Sequence, residues 1–292
     1  MKLVRGLGVA FFVLALAAFI IYSIYASRTS DFTAPKISAE SDSIRAGVNV
    51  TDEQLLAGMT AVDNLDGDVT DTLVVVSFSK FVKKNTRNVT YAAFDKNNNV
   101  GRYTRELTYT DYVAPHFVLK TPLWFHQNEE YDSNALCDLI GAQDVLDGDI
   151  SSQIMITQGD RYTFDEDTER QRITVQVSNR AGDTAQLSLD VMYLSYAAFN
   201  VKTPALSDYV IYTTVGMPPA YRSYIQGVRS GTSTMVLDQT HFDIDRDFVF
   251  NTSNVDLRKP GTYSVPCTLY DGDPDERQKL GTVELIVVVE EP

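Results

Sequence analysis

The stretch VTYAAFDKNNNVG, residues 89–101, holds two kinds of chain. Its first part puts Val89, Tyr91 and Ala93 at alternate positions, the period of a strand with one buried face. The remainder, DKNNNVG, clusters Asp, Asn and Gly, which tolerate positive φ and bond their own backbone, so it predicts a hairpin turn. Eighty-four residues further on, ITVQVSNRAGDTA (173–185) repeats both parts. Ile173, Val175 and Val177 share one face, Thr174, Gln176 and Ser178 the other, and NRAGD supplies the turn.

Working outward, the rest of the chain repeats too, at nearly the same offset. AVDNLDGDVTD (61–71) returns as AQDVLDGDISS (142–152), and DFTAP (31–35) returns as DYVAP (111–115). Each unit is therefore about 80 residues: 31–110, then 111–193. TLVVVSFS (72–79) and SQIMITQG (152–159) predict strands starting directly after the DGD loops, and RELTYTD and LSLDVMYL predict closing strands. DEQLLAGMTAV (52–62) and its counterpart NALCDLIGAQD (134–144) each have room for one helical turn. Short strands separated by turn residues predict an all-β fold of tandem β-sandwiches.

Residues 197–292 read as a third, divergent unit. KPGTYSVPCTLYDGDPDERQKLGTVELIVVVEE predicts the same closing strand pair around the turn DGDPDERQKLG. Its run LIVVV is too short to span a bilayer and reads as a core strand. YRSYIQGV (221–228) stands where the loop-preceding segment would be, and STMVLDQTHFDID replaces the DGD loop. FDIDRDFVF (242–250) alternates, which predicts a strand with Phe242, Ile244, Arg246 and Phe248 on one face and Arg246 near an edge.

The three motifs D-[FY]-x-A-P, A-x-D-x-x-D-G-D-[VI]-[TS] and V-T-Y-x-A-x-D-x-x-x-N together resemble the bacterial surface immunoglobulin-like domains. These are tandem modules of exported proteins, similar in pattern to hyalin repeats. The resemblance covers 31–193 and fades beyond. It implies an Ig-like sandwich used as a spacer or adhesive module, and it implies no catalysis. The family motif falls on Asp63, Asp66, Gly67 and Asp68, and on Asp144, Asp147, Gly148 and Asp149. The second unit departs from the pattern at Asn179, where the first has Asp95, so a site needing that carboxylate would exist only once.

Three readings of the DGD loops compete. Asp63, Asp66 and Asp68, with Asp144, Asp147 and Asp149, offer the oxygen donors that calcium takes, but their spacing is not that of an EF-hand loop. A calcium site shared with Asp111, at the start of the next unit, is one variant. A catalytic carboxylate pair finds no supporting constellation: there is no GxSxG, no HExxH and no Gly-rich phosphate loop. A turn explains the recurrence without any ligand, with Gly67 and Gly148 at positive φ and the Asp side chains bonding backbone N–H groups. No cofactor and no enzyme activity are expected.

The 292 residues suit two to three domains. Residues 6–26, GLGVAFFVLALAAFIIYSIYA, carry no charge and as a helix would cover roughly 30 Å, the bilayer core. Lys2 and Arg5 precede them and the first acid is Asp31. The positive-inside rule then predicts a signal anchor with residues 1–5 in the cytoplasm and the bulk of the chain outside; a cleaved signal peptide is the alternative. The formal charge is −14, and taking Lys2 and Arg5 out of the count leaves −16 outside. So acidic a surface, without a basic stripe, argues against nucleic-acid binding. Cys137 and Cys267 show no metal spacing and read as apolar core residues more readily than as a bridge. Trp124, Phe125 and His126, and Tyr212, Tyr221, Tyr224 and Tyr263, are candidate contact surfaces with strand residues as the plainer reading. NVT at 49–51 and 88–90 and NTS at 251–253 match glycosylation acceptors. The expected function is a membrane-anchored surface stalk or adhesive module for a protein or glycan partner, with specificity in the third unit. The alternatives are a structural subunit of an envelope complex and, less well supported, a surface hydrolase.

Overall fold

The computed structural model describes residues 2–29, 31–128, 133–237, 241–273 and 276–291. Parts of the expected STMVLDQTHFDID and DGDPDERQKLG segments, 238–240 and 274–275, lie outside the described residues.

The chain opens with helix α1 (Lys2–Thr29). Its side chains from Phe11 to Tyr25 are exposed, with Phe11 75% and Ile21 69% accessible. Among the described residues no helix is long and apolar enough to cross a membrane. The side chains at 2–5, 7, 9 and 26–29 of α1 lie outside the description.

Among the described residues, three modules of seven strands follow. The first has β1 (Lys36–Ala39), β2 (Ser43–Ala46), β3 (Met59–Asp63), β4 (Gly67–Asp68), β5 (Val74–Lys83), β6 (Thr86–Phe94) and β7 (Val100–Tyr109). The second has β8 (His116–Leu119), β9 (Trp124–His126), β10 (Ile140–Asp144), β11 (Gly148–Asp149), β12 (Met155–Thr163), β13 (Thr168–Ser178) and β14 (Thr184–Leu194). The third has β15 (Thr203–Leu206), β16 (Val210–Thr214), β17 (Ile225–Ser230), β18 (Ser233–Val236), β19 (Phe248–Phe250), β20 (Gly261–Asp271) and β21 (Gln278–Glu290).

Pairing is the same in each. A three-stranded sheet runs β1-β3-β4, β8-β10-β11 and β15-β17-β18, and a four-stranded sheet runs β2-β7-β6-β5, β9-β14-β13-β12 and β16-β21-β20-β19. An early strand lies parallel to the last one: β2 on β7, β9 on β14, β16 on β21. The third module keeps this plan although its sequence has lost the repeat motifs. Its apolar alternation in β20 and β21, with Val265, Cys267, Leu269, Leu285 and Val287 all buried, preserves the inward face that the plan requires.

Short helices sit at both expected places, α2 (Asp52–Leu56) and α3 (Ser133–Leu139). Thr51 caps α2 with a capping box, its hydroxyl accepting from Gln54 N while Gln54 returns to Thr51 N. Leu55 is thereby plugged into the first core, where the backbone carbonyl of the same residue accepts from the buried Tyr91 hydroxyl.

Contacts divide the chain into Met1–Tyr112 and Val113–Pro292. The first boundary falls two residues past the repeat boundary because Tyr112 packs edge-on against Phe81, 4.8 Å between ring centres, and Asp111 accepts a bond from Val48 N at 2.8 Å. The second and third modules form one unit, with a continuous apolar cluster running from Phe117 to Val289.

Two local expectations are corrected. The strands after the DGD loops do not start at once: residues 70–72 and 151–153 form 3-10 turns, and β5 and β12 begin at Val74 and Met155. FDIDRDFVF is strand only over Phe248–Phe250. Asp243 accepts from Asp245 N and Arg246 N at 2.9 and 3.0 Å, which curls the first half into a turn, and Arg246 pairs with buried Asp247 rather than lying on a strand face. Cys137 and Cys267 are free thiols, and burial pushes the Cys267 thiol up to about 12.

Candidate functional site

Each DGD loop is a backbone-bonded turn. Asp63 Oδ1 accepts from Leu65 N and Asp66 N, both at 2.9 Å, and Asp144 Oδ1 does the same with Leu146 N and Asp147 N. Gly67 and Gly148 both have φ of +73°, which closes the turn back onto β4 and β11. Asp68 and Asp149 accept from Thr70 N and Ser151 N at 3.0 and 2.9 Å. Asp66 holds Lys96 through both main-chain N and Nζ at 2.9 Å, and Asp147 takes Arg180 N at 2.6 Å. The loop thus ties the end of one strand to the hairpin of the other sheet.

These bonds shift the acids downward. The Asp66 N–H is the largest of the effects that hold Asp63 below the usual carboxylate range, with Leu65 and Asn64 N–H groups adding to it against burial. The Lys96 N–H does so for Asp66, and the Thr70 and Ser151 hydroxyls for Asp68 and Asp149.

Among the described residues, the three acids of neither loop come together as a donor set. What the fold assembles in the first module is Asp31, Asp63 and Asp95, whose donor oxygens all lie within 4.8 Å of one another. Asp31 comes from DFTAP, Asp63 ends β3, and Asp95 follows β6. Asp63 and Asp95 are only 4% and 6% exposed. Asp63 Oδ2 and Asp31 Oδ2 are buried without a hydrogen-bond partner. Asp95 is held by Asn99, from main-chain N at 2.7 Å and from Nδ2 at 2.6 Å, and Asn99 Nδ2 also reaches Asp31 O at 3.0 Å.

In the second module Asn179 occupies the Asp95 position and donates its amide to Asp144 Oδ2 at 3.0 Å. Asp111, which matches Asp31 in the repeat, is engaged by Val48 N. Sequence reading named only Asp63 of the triad as a metal donor. The signal for the other two was present: both are Asp positions of repeated motifs, and the Asp95-to-Asn179 change marked a place where the repeats differ in charge.

A second feature lies inside the unit formed by the second and third modules. A cleft of about 390 Å³ is lined by Trp124, Arg170, Arg172, Asp190, Tyr209 and Glu284, among others. Arg172 makes a two-pronged pair with Asp190 at 2.9 and 3.0 Å. Arg170 stacks over Phe164 at 3.7 Å, and the Arg170 Nε is buried without an acceptor. Trp124 is half-buried on β9 while Phe125 beside it is core.

The joint next to this cleft is well fixed. His116 lies flat on Tyr212, with ring centres 3.7 Å apart and planes 7° apart, and its Nε2 meets Glu290 at 3.0 Å. Phe117 N donates to Tyr212 Oη at 2.7 Å and Tyr209 N donates to Leu119 O at 2.8 Å. Lys120 pairs with Asp208. Burial pushes the Tyr212 hydroxyl up to about 12. Tyr212, a candidate surface residue, is thus part of the joint. Tyr221 packs on Phe250 and lines a shallower hollow with Arg222 and Thr252.

No protein-family model matches the chain, and no curated protein matches it significantly. Solved structures similar to it include the CBM51-2 domain in complex with GlcNAc and INT domains from Clostridium perfringens ZmpB. That match is 13% identical over 56% of this chain and 44% of that one, with a TM-score of 0.21. The human Desmocollin-1 ectodomain is 11% identical over 90% of this chain and 62% of that one, with a TM-score of 0.19. Human CDH23 EC21-23 is 13% identical over 88% of this chain and all of that one, with a TM-score of 0.20. The chain spans half or less of the first structures it matches.

Proposed function

We propose that the chain is a membrane-anchored surface protein that carries three Ig-like modules outside the cell and binds a glycan in the cleft between the second and third. The observation that carries the reading is that cleft. It combines a half-buried Trp124 face with the fixed Arg172–Asp190 pair and Glu284, the mix of aromatic and planar polar groups that a sugar ring uses. The anchor rests on the uncharged run 6–26, on α1 and its exposed apolar side chains, and on Lys2 and Arg5 before them. The bonded joint supports a site shared by both modules, which moves specificity from the third module alone to its junction with the second.

Full-length protein in detergent is to be screened on a glycan array beside Trp124→Ala and Arg172→Ala. At least one glycan class bound by the wild type and lost in both variants is expected. Binding that survives both substitutions removes the cleft from the proposal. Removing 197–292 is a poor test, because it would bare the apolar cluster shared with the second module.

A second reading, a structural subunit of an envelope complex held through α1, draws on the small residues Gly6, Gly8, Ala15 and Ala18 in that helix. Co-purification that needs α1 and ignores the cleft variants would favour it.

A further inference from the structure

We infer that Asp31, Asp63 and Asp95 form a calcium site in the first module, and that the second module carries no counterpart. The site differs from the two DGD loops as metal sites, because only Asp63 belongs to both sets.

The argument starts with an unmet need. Three carboxylates converge to within 4.8 Å, and among the described residues none of them has an ion-pair partner, since Lys96 turns to Asp66 instead. Asp63 is nearly fully buried. Its Oδ1 is committed to the loop N–H groups, which leaves Oδ2 sequestered with no donor. Asp31 repeats the arrangement: Oδ1 accepts from Thr33 N at 2.9 Å, and Oδ2 is buried and unpartnered. Burying an ionised carboxylate without a partner is costly, and a cation is the direct remedy.

The donor chemistry selects the ion. All three groups are hard oxygen ligands, with no thiol or imidazole among them, which disfavours zinc, copper and iron. Calcium takes oxygens at about 2.3–2.6 Å, so two ligands on opposite sides of it lie roughly 5 Å apart. The three donor oxygens, all within 4.8 Å of one another, lie inside that span. Magnesium keeps most of its water and is ordinarily bound through about one or two carboxylates, so a buried set of three suits it less.

The molecule contains its own control. In the second module the Asn179 amide donates to the equivalent oxygen, Asp144 Oδ2, at 3.0 Å. One side-chain change replaces the need for a cation with a hydrogen bond. Asp31 stands two residues after the end of α1, so an ion held there fastens the first extended segment of the chain to β3 and to the turn after β6. The inference does not depend on what the cleft binds.

The test is calorimetric titration of calcium chloride into chelator-stripped full-length protein in detergent, with thermal unfolding followed in millimolar calcium and in excess chelator. One calcium per chain and an upward shift of several degrees for the first module are expected. Asp95→Asn should abolish both, while its unfolding temperature in chelator stays at or above the wild-type value, as the Asn179 arrangement implies. Asp147→Ala should bind calcium as the wild type does. No binding by the wild type, binding unchanged in Asp95→Asn, two ions per chain, or magnesium binding as tight as calcium would each overturn the assignment. If Asp95→Asn fails to fold, Asp63→Asn serves in its place.

Discussion

The Asn179 side-chain amide donates to Asp144 Oδ2 at 3.0 Å, at the position where the preceding module sets the carboxylate of Asp95 near that of Asp63. Asn179→Asp removes the donor and faces one buried acid with another. Asp111, the third acid of the motif, is held by Val48 N. The substitution should therefore destabilise Val113–Pro292 by about 1–3 kcal/mol, the cost of a buried polar group left unsatisfied, with little recovery in calcium. Urea denaturation with and without calcium measures it, and a fully calcium-rescued variant would contradict the expectation.

Tyr212 gives the second prediction. Its folded pKa, about 12, stands above the unfolded value near 10. The neutral hydroxyl is thus favoured in the fold. Its contribution is fully present below pH 10 and is lost as the pH rises through about 12, because the unfolded chain releases its proton first. That rise corresponds to roughly 3 kcal/mol. Cys267, also raised to about 12, acts in the same direction. Tyr212→Phe should flatten the alkaline loss while costing about 1 kcal/mol at neutral pH for the missing bond from Phe117 N. Urea midpoints between neutral pH and pH 12 read both effects, and an unchanged alkaline slope would refute the assignment to Tyr212.

Phe248 is fully buried in the cluster that runs through the second and third modules. Phe248→Ala should cost about 3–5 kcal/mol, and the loss should be felt in both modules. Hydrogen exchange is the direct readout: amides of β13 and β20 should lose protection together. Loss confined to β20 would mean that the two modules open separately.

At Gly67 and Gly148 a methyl group would meet nothing within 4 Å, yet both residues sit at φ +73°. Only the backbone penalty is at stake, so Gly67→Ala and Gly148→Ala should each cost about 1–2 kcal/mol. Chemical denaturation tests this, and a neutral result would show that the turn relaxes.

Some features were legible in the residues because they depend on local chemistry. Alternation in 89–94 and 173–178 dictates strands with one buried face, Asp and Gly at fixed offsets dictate the turns, and the repeated motifs dictate two equivalent modules. The helix Lys2–Thr29 covers the uncharged run 6–26. FDIDRDFVF misled for the same reason: its period of two is real, but Asp243 bonds the next N–H groups and curls the chain before pairing can extend it.

Other features needed the tertiary structure, because they arise between segments far apart in the chain. Asp31, Asp63 and Asp95 are separated by 32 residues at each step, and only the approach of strand ends from both sheets brings their oxygens together. The third module shows no repeat motif, yet its strand order matches the others, since pairing is set by which faces can be buried. His116 on Tyr212, and the cleft beside them, exist only because the second and third modules share one apolar cluster. Sequence fixes the period and chemistry of each segment; packing selects which distant side chains must share a volume, and so which of them are left wanting a partner.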